Sequence, residues 1–547
     1  MPISTSSAVA SMNSLADLDV LVIGAGFSGL GMLYQLRKRG YTTRVIEAGD
    51  DVGGTWYWNR YPGARCDSPS EVYCYFFDDQ LLRDWNWSRR YPVQPEILRY
   101  LQHVAERFEL RRDITFDTRV LSAHFDEAAH HWVTQLSNGE RLTSRYLVTA
   151  VGCLSDYEIP AFKGLERFQG EWHHTARWPK DGVDFTGKRV GVIGTGSTGI
   201  QAIPVIAESA AHLYVFQRTP NYSIPARDRV MTDAERNEVK AHYREIHDNI
   251  IHTTLGQRYA MKAGSAFDVS DAEREAIYEA DWQKGGFAIM FNAWEDLYTN
   301  AAANETLASF VRRKIAETVK DPKTRELLTP RDHPIGTKRP PLDTRYFETF
   351  NRDNVTLVDV RSAPIVEITE TSLRTSTDDY PLDMLVFATG FDAMTGALFN
   401  IDIRGRGGMA LKDKWADGPL TYLGLASHGF PNLFTITGPG SPSVLSNMPI
   451  SIEQHVEWIS DCLEYMRGKD LAVIEAEPDA EEAWTRHVGE VAAPTLMTQV
   501  ESWYLGSNIP GKPRRFVSYL GGVGPYRDIC QQVADDGYRG FTLSKAG

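Results

Sequence analysis

Two stretches of the chain carry the same alternation of apolar and polar positions. The first opens with Asp19-Val-Leu-Val-Ile, a short unbroken apolar run suited to a strand buried on both faces. Gly24-Ala-Gly26-Phe-Ser-Gly29 follows, then an amphipathic stretch from Leu30 to Arg39 ended by Gly40, then a second apolar run, Arg44-Val-Ile-Glu47. The predicted order is strand, tight turn, helix, strand. The second stretch repeats it: Arg189-Val-Gly-Val-Ile, Gly194-Thr-Gly196-Ser-Thr-Gly199, a helix from Ile200 to Glu208, and a strand Leu213-Tyr-Val-Phe-Gln217. Between about residues 223 and 332 the apolar runs vanish and helix formers dominate, with capping-box patterns at Thr232-Asp-Ala-Glu235 and Ser270-Asp-Ala-Glu273. Short strands return at Val355 to Val358, at Ser372 to Arg374, and at Met384-Leu-Val-Phe-Ala, the last leading into Thr389 and Gly390. A loop rich in Gly, Pro and Ser at 438–449 precedes a helix from about 450 to 467.

The glycines of each fingerprint have separate tasks. Gly24 and Gly194 make the turn, Gly26 and Gly196 let the backbone approach a pyrophosphate, and Gly29 and Gly199 let helix and strand pack closely. A single G-x-G-x-x-G in a chain with 44 glycines is weak evidence, but two in full strand and helix context are strong. Glu47 stands 18 residues after Gly29, near where a ribose-binding carboxylate belongs, whereas the same offset from Gly199 holds Gln217, followed by Arg218 and Thr219. A carboxylate repels a 2′-phosphate and an arginine pairs with it. The first site is therefore expected to take FAD and the second NADP.

The fold class this predicts is α/β, doubly wound, with two Rossmann-like dinucleotide-binding domains and a helical insertion. The expected boundaries are an FAD-binding domain over 1–152 and 386–547, an NADP-binding domain over 153–222 and 333–385, and the insertion over 223–332. A length of 547 residues at about 150 per domain agrees with three or four such units.

Composition narrows the field. With 58 basic and 72 acidic residues the formal net charge is −14, which disfavours nucleic acid as a partner. The five cysteines are scattered and never form a C-x-x-C pair, so neither a disulfide framework nor a zinc site is written, and no metal is expected. That pattern fits a reducing cytoplasm. The first 18 residues, small and polar, are expected to be a disordered leader, not a signal peptide. No apolar run approaches the ~18 residues of a spanning helix, so a soluble protein without a membrane partner is expected; the oligomeric state is left open, with a monomer plausible.

Chemistry concentrates in two further segments. Gly53-Gly-Thr-Trp-Tyr-Trp-Asn-Arg-Tyr-Pro-Gly-Ala-Arg65-Cys66-Asp67 is too polar for a core strand and too aromatic for a plain linker. Its flat rings and glycines suit an isoalloxazine, with Arg65 and Asp67 able to reach a reacting face; a packed structural loop is the alternative. Phe168-x-Gly170-x-x-x-His174-x-x-x-Trp178-Pro179 lies between the fingerprints. Flanked in this way, the pattern resembles the signature of type I Baeyer–Villiger monooxygenases, and the resemblance extends from Asp19 to about Gly540. Within that family the chain is most similar to phenylacetone and steroid monooxygenases through Trp56-Tyr-Trp-Asn-Arg-Tyr-Pro-Gly-Ala-Arg-Cys-Asp67, Gly438-Pro-Gly-Ser-Pro-Ser and Asn508-Ile-Pro-Gly-Lys, and more distantly to cyclohexanone monooxygenases. Pro340-Pro341 departs from the pattern, which expects apolar, less rigid residues there.

The resemblance implies NADPH- and dioxygen-dependent conversion of a small-molecule ketone to an ester or lactone through a flavin peroxide, with FAD and NADPH as cofactors. Such chemistry needs a fixed cation where anions develop in a water-poor pocket. Arg339, in Gly336-Thr-Lys338-Arg339, is the expected catalyst, since arginine keeps its proton and offers a rigid donor fork. Asp67 is expected to hydrogen-bond and position it. Read from the residues alone, Lys338-Arg339 suits an exposed basic turn equally well. By the resemblance, Lys338 joins Arg218 and Thr219 at the 2′-phosphate, and Ser28, Glu47, Thr55, Trp56, Asp67, Tyr73, Val120 and Met448 line the FAD. Thr195, Gly196, Ser197, Thr198, Gly199 and Gln201 hold the NADP pyrophosphate, and Trp503 closes over the nicotinamide. His174 alone reads as a structural residue more readily than as a general base, and the resemblance gives it a part in coupling domain movement. Small and apolar residues around Leu445 suggest room for aryl, cyclic or larger ketones. A flavin-containing N- or S-oxygenase is the alternative enzyme, less favoured because of Trp178-Pro179. A flavoprotein disulfide reductase lacks its cysteine pair, and a flavin-dependent sensor lacks any visible docking region.

Overall fold

The computed structural model describes residues 16–507 and 509–545. The expected leader, up to residue 15, and Asn508 lie outside the described residues. The first fingerprint runs from strand β1 (Leu18–Ile23) through helix α1 (Phe27–Lys38) to β2 (Thr43–Ile46). Strand β1 pairs in parallel with β2 on one side and with β3 (Arg141–Thr149) on the other. Ile114–Thr115 extends this sheet beyond β2, and Leu433–Thr435, from far along the chain, adds in parallel to β3. Asp402–Arg404 pairs with Val120–Asp126, so the same eight-stranded sheet draws on both early and late segments.

A second, five-stranded sheet is wholly parallel. Strand β4 (Arg189–Ile193) leads through helix α2 (Ser197–Ser209) to β5 (His212–Gln217), and β6 (Val355–Asp359) lies beyond β5. On the other flank β7 (Met384–Phe387) separates β4 from Glu171–His174. Both α1 and α2 begin three residues earlier than the amphipathic pattern suggests, because the last fingerprint glycines, Gly29 and Gly199, sit inside their first turns. The central strands are buried on both faces: Val20, Val22, Val190, Val192, Leu213 and Val386 have no exposed surface. Each such side chain contributes about 1.5–3 kcal/mol through burial, so a charge placed at Val192 would unmake the second sheet.

The segment after β5 is helical, as the sequence predicts, with Asp233–Ile250, Asp271–Lys284, Ala301–Thr318 and Pro322–Leu328 as its main elements. Thr232 and Glu235 form a reciprocal capping box, and Ser270 accepts from the backbone N–H of Glu273. The neck of this insertion is a two-residue parallel pairing of Ile224–Pro225 with Leu342–Asp343. Pro340 and Pro341 stiffen that neck: both are buried, and the Pro341 carbonyl accepts from Ile224 N at 2.9 Å. Helix α3 (Met448–Gly468) packs along α1 behind the first sheet. No helix among the described residues is long and apolar enough to cross a membrane.

Candidate active site

The two fingerprint turns show why only glycine serves. Gly24 and Gly194 lie at φ +104° and +110°, and a β-carbon on either would meet the carbonyl oxygen of Ala150 or Ala388 at 2.6 or 2.4 Å. A β-carbon on Gly29 would fall 1.7 Å from the Gly24 oxygen, and one on Gly199 2.2 Å from the Gly194 oxygen. Helix and turn are thus in direct backbone contact, which leaves the first N–H groups of α1 and α2 facing outward from the strand ends. Gly26 faces Gly54 across a narrow gap, where a β-carbon on Gly54 would come within 2.8 Å of the Gly26 Cα. Around Gly196 nothing lies within 4 Å of a β-carbon, and Gly196 and Ser197 are exposed. A backbone cradle over a helix N-terminus fits a pyrophosphate in both places.

Beyond β2, Glu47 is buried and its carboxylate accepts from Ala25 N at 2.7 Å and Gly49 N at 2.8 Å. Burial raises its pKa against those two bonds. Gln217, at the matching position of the second unit, turns away instead, donating to the Leu327 carbonyl at 2.7 Å and so tying the insertion to β5. The residues after it form a cationic cluster. Arg218 is exposed, the Thr219 carbonyl accepts from Thr195 Oγ1 at 3.1 Å, and its hydroxyl accepts from Arg361 at 3.1 Å. Lys338 stands close enough to feel this group: burial lowers its pKa, with Asp332 opposing and Arg218 and Arg361 reinforcing the shift. Asp332 takes Arg361 at 2.7 Å and His333 at 2.7 Å, and these partners overcome its burial and hold it at about 2. Three cations against two carboxylates, Asp332 and Glu501, suit a 2′-phosphate. Arg361 and Asp332 escaped the sequence reading, although Arg361 lies two residues past β6, whose C-terminal end neighbours that of β5.

The 53–67 segment is not a plain loop. It opens with a helical turn, Thr55–Trp58, in which Thr55 is exposed and Trp56 buried. Trp56 Nε1 donates to the Tyr73 hydroxyl at 3.1 Å, and both rings meet edge to face. Ser28 is buried in the first turn of α1, and Val120 is buried beside a bulge at the start of its strand. Asp67, at the far end of the segment, receives Arg339 twice on one oxygen, from Nε at 3.0 Å and Nη2 at 2.7 Å. The third arm, Nη1, donates to the Val444 carbonyl at 2.8 Å. Phe287 lies 5.5 Å from the guanidinium. Burial works against the cation, but Asp67 and Tyr504 outweigh it and raise the Arg339 pKa above its ordinary value. An exposed basic turn is excluded, since the Arg339 side chain is only 29% exposed.

Val444 was not foreseen as an anchor. It is β-branched yet lies at φ +63°, a strained conformation of the kind that persists where surroundings dictate it. Its N–H donates to Met448 Sδ at 3.3 Å, at the start of α3, while its carbonyl takes Arg339. Trp503 opens a short turn, Trp503–Leu505, with its ring 4.1 Å from that of Tyr504. That loop is pinned by Lys512, which pairs with Asp392 and donates to the Ala393 carbonyl at 2.7 Å.

His174 ends the edge strand of the second sheet. Its Nδ1 accepts from Ala176 N at 3.1 Å, which places the ring proton on Nε2, 3.2 Å from the Thr389 hydroxyl. Burial, with Arg177 adding to it, lowers its pKa to about 4. With both nitrogens engaged it has no lone pair free for a substrate. Trp178 is a buried packing residue against His173 and Phe185. The Gln201 carboxamide engages the 53–67 segment: Tyr61 donates to its Oε1 at 2.8 Å, and its Nε2 donates to the Arg65 carbonyl at 3.2 Å.

Residues 18–259 match the flavin-binding monooxygenase-like family. The chain is 44% identical over 526 residues to a Baeyer–Villiger monooxygenase of Pseudooceanicola batsensis, covering 96% of each. It is also 44% identical to a phenazine N-monooxygenase of Lysobacter antibioticus, covering 97% of this chain and 98% of that one. Among solved structures, an oxidized steroid monooxygenase bound to NADP superposes with a TM-score of 0.93 at 51% identity, over 96% of this chain and 99% of that one.

Proposed function

Because the chain belongs to the Baeyer–Villiger monooxygenases, within the flavin-binding monooxygenase-like family, we propose roles for its residues in that reaction. The enzyme uses FAD and NADPH to convert ketones to esters or lactones with dioxygen. FAD, once reduced by NADPH, supplies the oxygen-activating chemistry. Its pyrophosphate fits the cradle of Gly24, Gly26 and Gly29, its ribose Glu47, and its ring system the surface of Thr55, Trp56, Asp67, Tyr73 and Met448, with Ser28 and Val120 completing the site. We assign 1–152 with 386–547, 153–222 with 333–385, and 223–332 to the FAD, NADP and helical units, with one correction: Val386 and Phe387 pair within the second sheet, so the NADP unit runs on through Phe387.

Arg339 holds a permanent cation where negative charge develops on the ketone oxygen, and Asp67 and the Val444 carbonyl keep its fork from swinging. The observation that carries this reading is the three-point fixing of Arg339 at 2.7, 2.8 and 3.0 Å. Arg218, Thr219 and Lys338, with Arg361, select the 2′-phosphate, and Thr195 to Gly199 offer backbone and hydroxyl donors to the pyrophosphate. Trp503 closes over the nicotinamide side and excludes water. His174 fixes the end of its strand to the Thr389 turn and takes no proton from substrate.

The identity to a steroid monooxygenase favours cyclic, aryl and larger ketones as substrates. The phenazine N-monooxygenase relative makes N-oxidation the second reading. NADPH oxidation with phenylacetone, cyclohexanone, progesterone, thioanisole and phenazine, products identified by mass, separates them. Esters or lactones gaining one oxygen support the first reading, and N-oxide or sulfoxide with every ketone untouched supports the second.

A further inference from the structure

The loop that ends in Asp67 docks on the second fingerprint helix before it reaches the arginine. Gly63, at φ +84°, lies so close to α2 that a β-carbon on it would meet the Gln201 carbonyl oxygen at 2.3 Å. On either side of that contact the Gln201 carboxamide binds the loop in both senses. Its Oε1 accepts from the Tyr61 hydroxyl at 2.8 Å and from Arg65 N at 3.3 Å, and its Nε2 donates to the Arg65 carbonyl at 3.2 Å. The Tyr61 ring packs against the core of the second sheet and the insertion, and burial pushes its hydroxyl up to about 12. The Arg65 side chain goes on to Asp228 at 3.0 Å and the Thr344 hydroxyl at 3.3 Å. Buried Asp228 holds Arg89 as well, at 2.7 Å, so the neck of the insertion is gripped at the same place. Two residues further on, Asp67 takes Arg339.

We propose that Gln201 is a positioning residue: its carboxamide locks residues 61–65 onto α2 and so fixes Asp67, and through Asp67 the Arg339 guanidinium, relative to the nicotinamide-binding domain. The proposal rests on the reading of Arg339 given above. A primary amide is the group for the task, because it accepts and donates along one planar edge and can match both the N–H and the C=O of Arg65. Two residues span no more than about 7 Å, so a shift of the Arg65 backbone passes to Asp67 with little damping. A misplacement of about 1 Å at the reacting centre costs on the order of a hundredfold in rate. The clamp makes the second domain and the anion-stabilising group move as one body. It also accounts for the commitment of this glutamine, two positions past Gly199, to Tyr61 and Arg65.

The test uses the full-length, FAD-loaded enzyme. Gln201→Leu removes all three bonds of the carboxamide, and Tyr61→Phe removes a single hydroxyl from the clamp. Two quantities are read: the NADP⁺ dissociation constant by flavin-absorbance titration, and the ester and hydrogen peroxide formed per NADPH consumed. Both variants are expected to bind NADP⁺ within about threefold of the parent, while the share of NADPH ending in ester falls about fivefold in Gln201→Leu and less in Tyr61→Phe, peroxide making up the difference. A tenfold or greater loss of NADP⁺ affinity in Gln201→Leu, with Tyr61→Phe unaffected, would make Gln201 a cofactor ligand and overturn the proposal. Parent coupling in both variants would overturn it too. Arg339→Ala separates the two levels: ester formation surviving there removes the reading of Arg339 itself, whereas its loss there together with parent coupling in Gln201→Leu removes only the clamp.

Discussion

Replacing Asp67 by Asn tests how much of the catalytic cation's effect depends on its carboxylate. Both Arg339 bonds to Asp67, at 3.0 and 2.7 Å, end on the same oxygen, and Asn keeps the shape and one acceptor while deleting the charge. The two side chains are 29% and 27% exposed, which places the pair between the surface and buried cases. Surface pairs are worth about 0–1 kcal/mol, and breaking a buried pair costs about 3–5, so about 2 kcal/mol of restraint is lost. The Val444 carbonyl still holds one arm at 2.8 Å, so the guanidinium stays in the site but is free to swing. If that restraint acts fully on the transition state, ester formation falls about thirtyfold, since about 1.4 kcal/mol corresponds to a factor of ten. The assay is the rate of ester formation at saturating ketone and NADPH, followed by product mass, alongside an NADP⁺ titration. The dissociation constant should move less than about threefold, because Arg218, Thr219 and Lys338 are untouched. An unchanged kcat for ester, or a loss confined to the KM for NADPH, would show that the Asp67 carboxylate does not restrain the catalytic cation.

Arg218→Ala should raise the KM for NADPH by tenfold or more, on the order of one charge-assisted contact, and leave that for NADH nearly unchanged; equal effects on both would place the 2′-phosphate elsewhere. Glu453, buried in α3, accepts from Phe76 N at 2.7 Å through one oxygen, and its other oxygen has no partner among the described residues. Burial, aided by Glu457, pushes this carboxyl up to about 8. A folded pKa above the unfolded value means that its stabilisation is complete below about pH 4.5 and is lost as pH rises through 8. Glu453→Gln should therefore match the parent in melting near pH 4.5 and exceed it at pH 8, by on the order of 4 kcal/mol. Melting curves that stay parallel across that range would exclude the titration.

The parallel cores of the two large sheets were legible because each rests on a local pattern: an apolar run, three glycines at fixed spacing and an amphipathic helix. Where the helices begin was less so, since Phe27 and Ser197 belong to a turn and a helix at once, and only the contacts of Gly29 and Gly199 decide between them. The Asp67–Arg339 pair spans 272 residues and was reached through family resemblance, not through spacing. Nothing local marks Val444, whose left-handed backbone is imposed by a methionine four residues on and an arginine 105 residues back. Arg361 was hidden for a topological reason: it enters the cationic cluster only because β6 lies next to β5, a pairing across 142 residues that apolar runs alone do not specify. Gln201 sits in a fingerprint and so read as a cofactor residue; its side chain is committed by Tyr61 and Arg65, from a loop that looked self-contained.

The fixed cation at Arg339 is the centre of the proposed reaction. The most direct test is the yield of ester per NADPH from Arg339→Ala, purified with its FAD, with phenylacetone or cyclohexanone as substrate and the product identified by mass. The variant should be a yellow protein that retains flavin and forms no ester above background. Ester formation at the parent rate in that variant would contradict a catalytic role for Arg339.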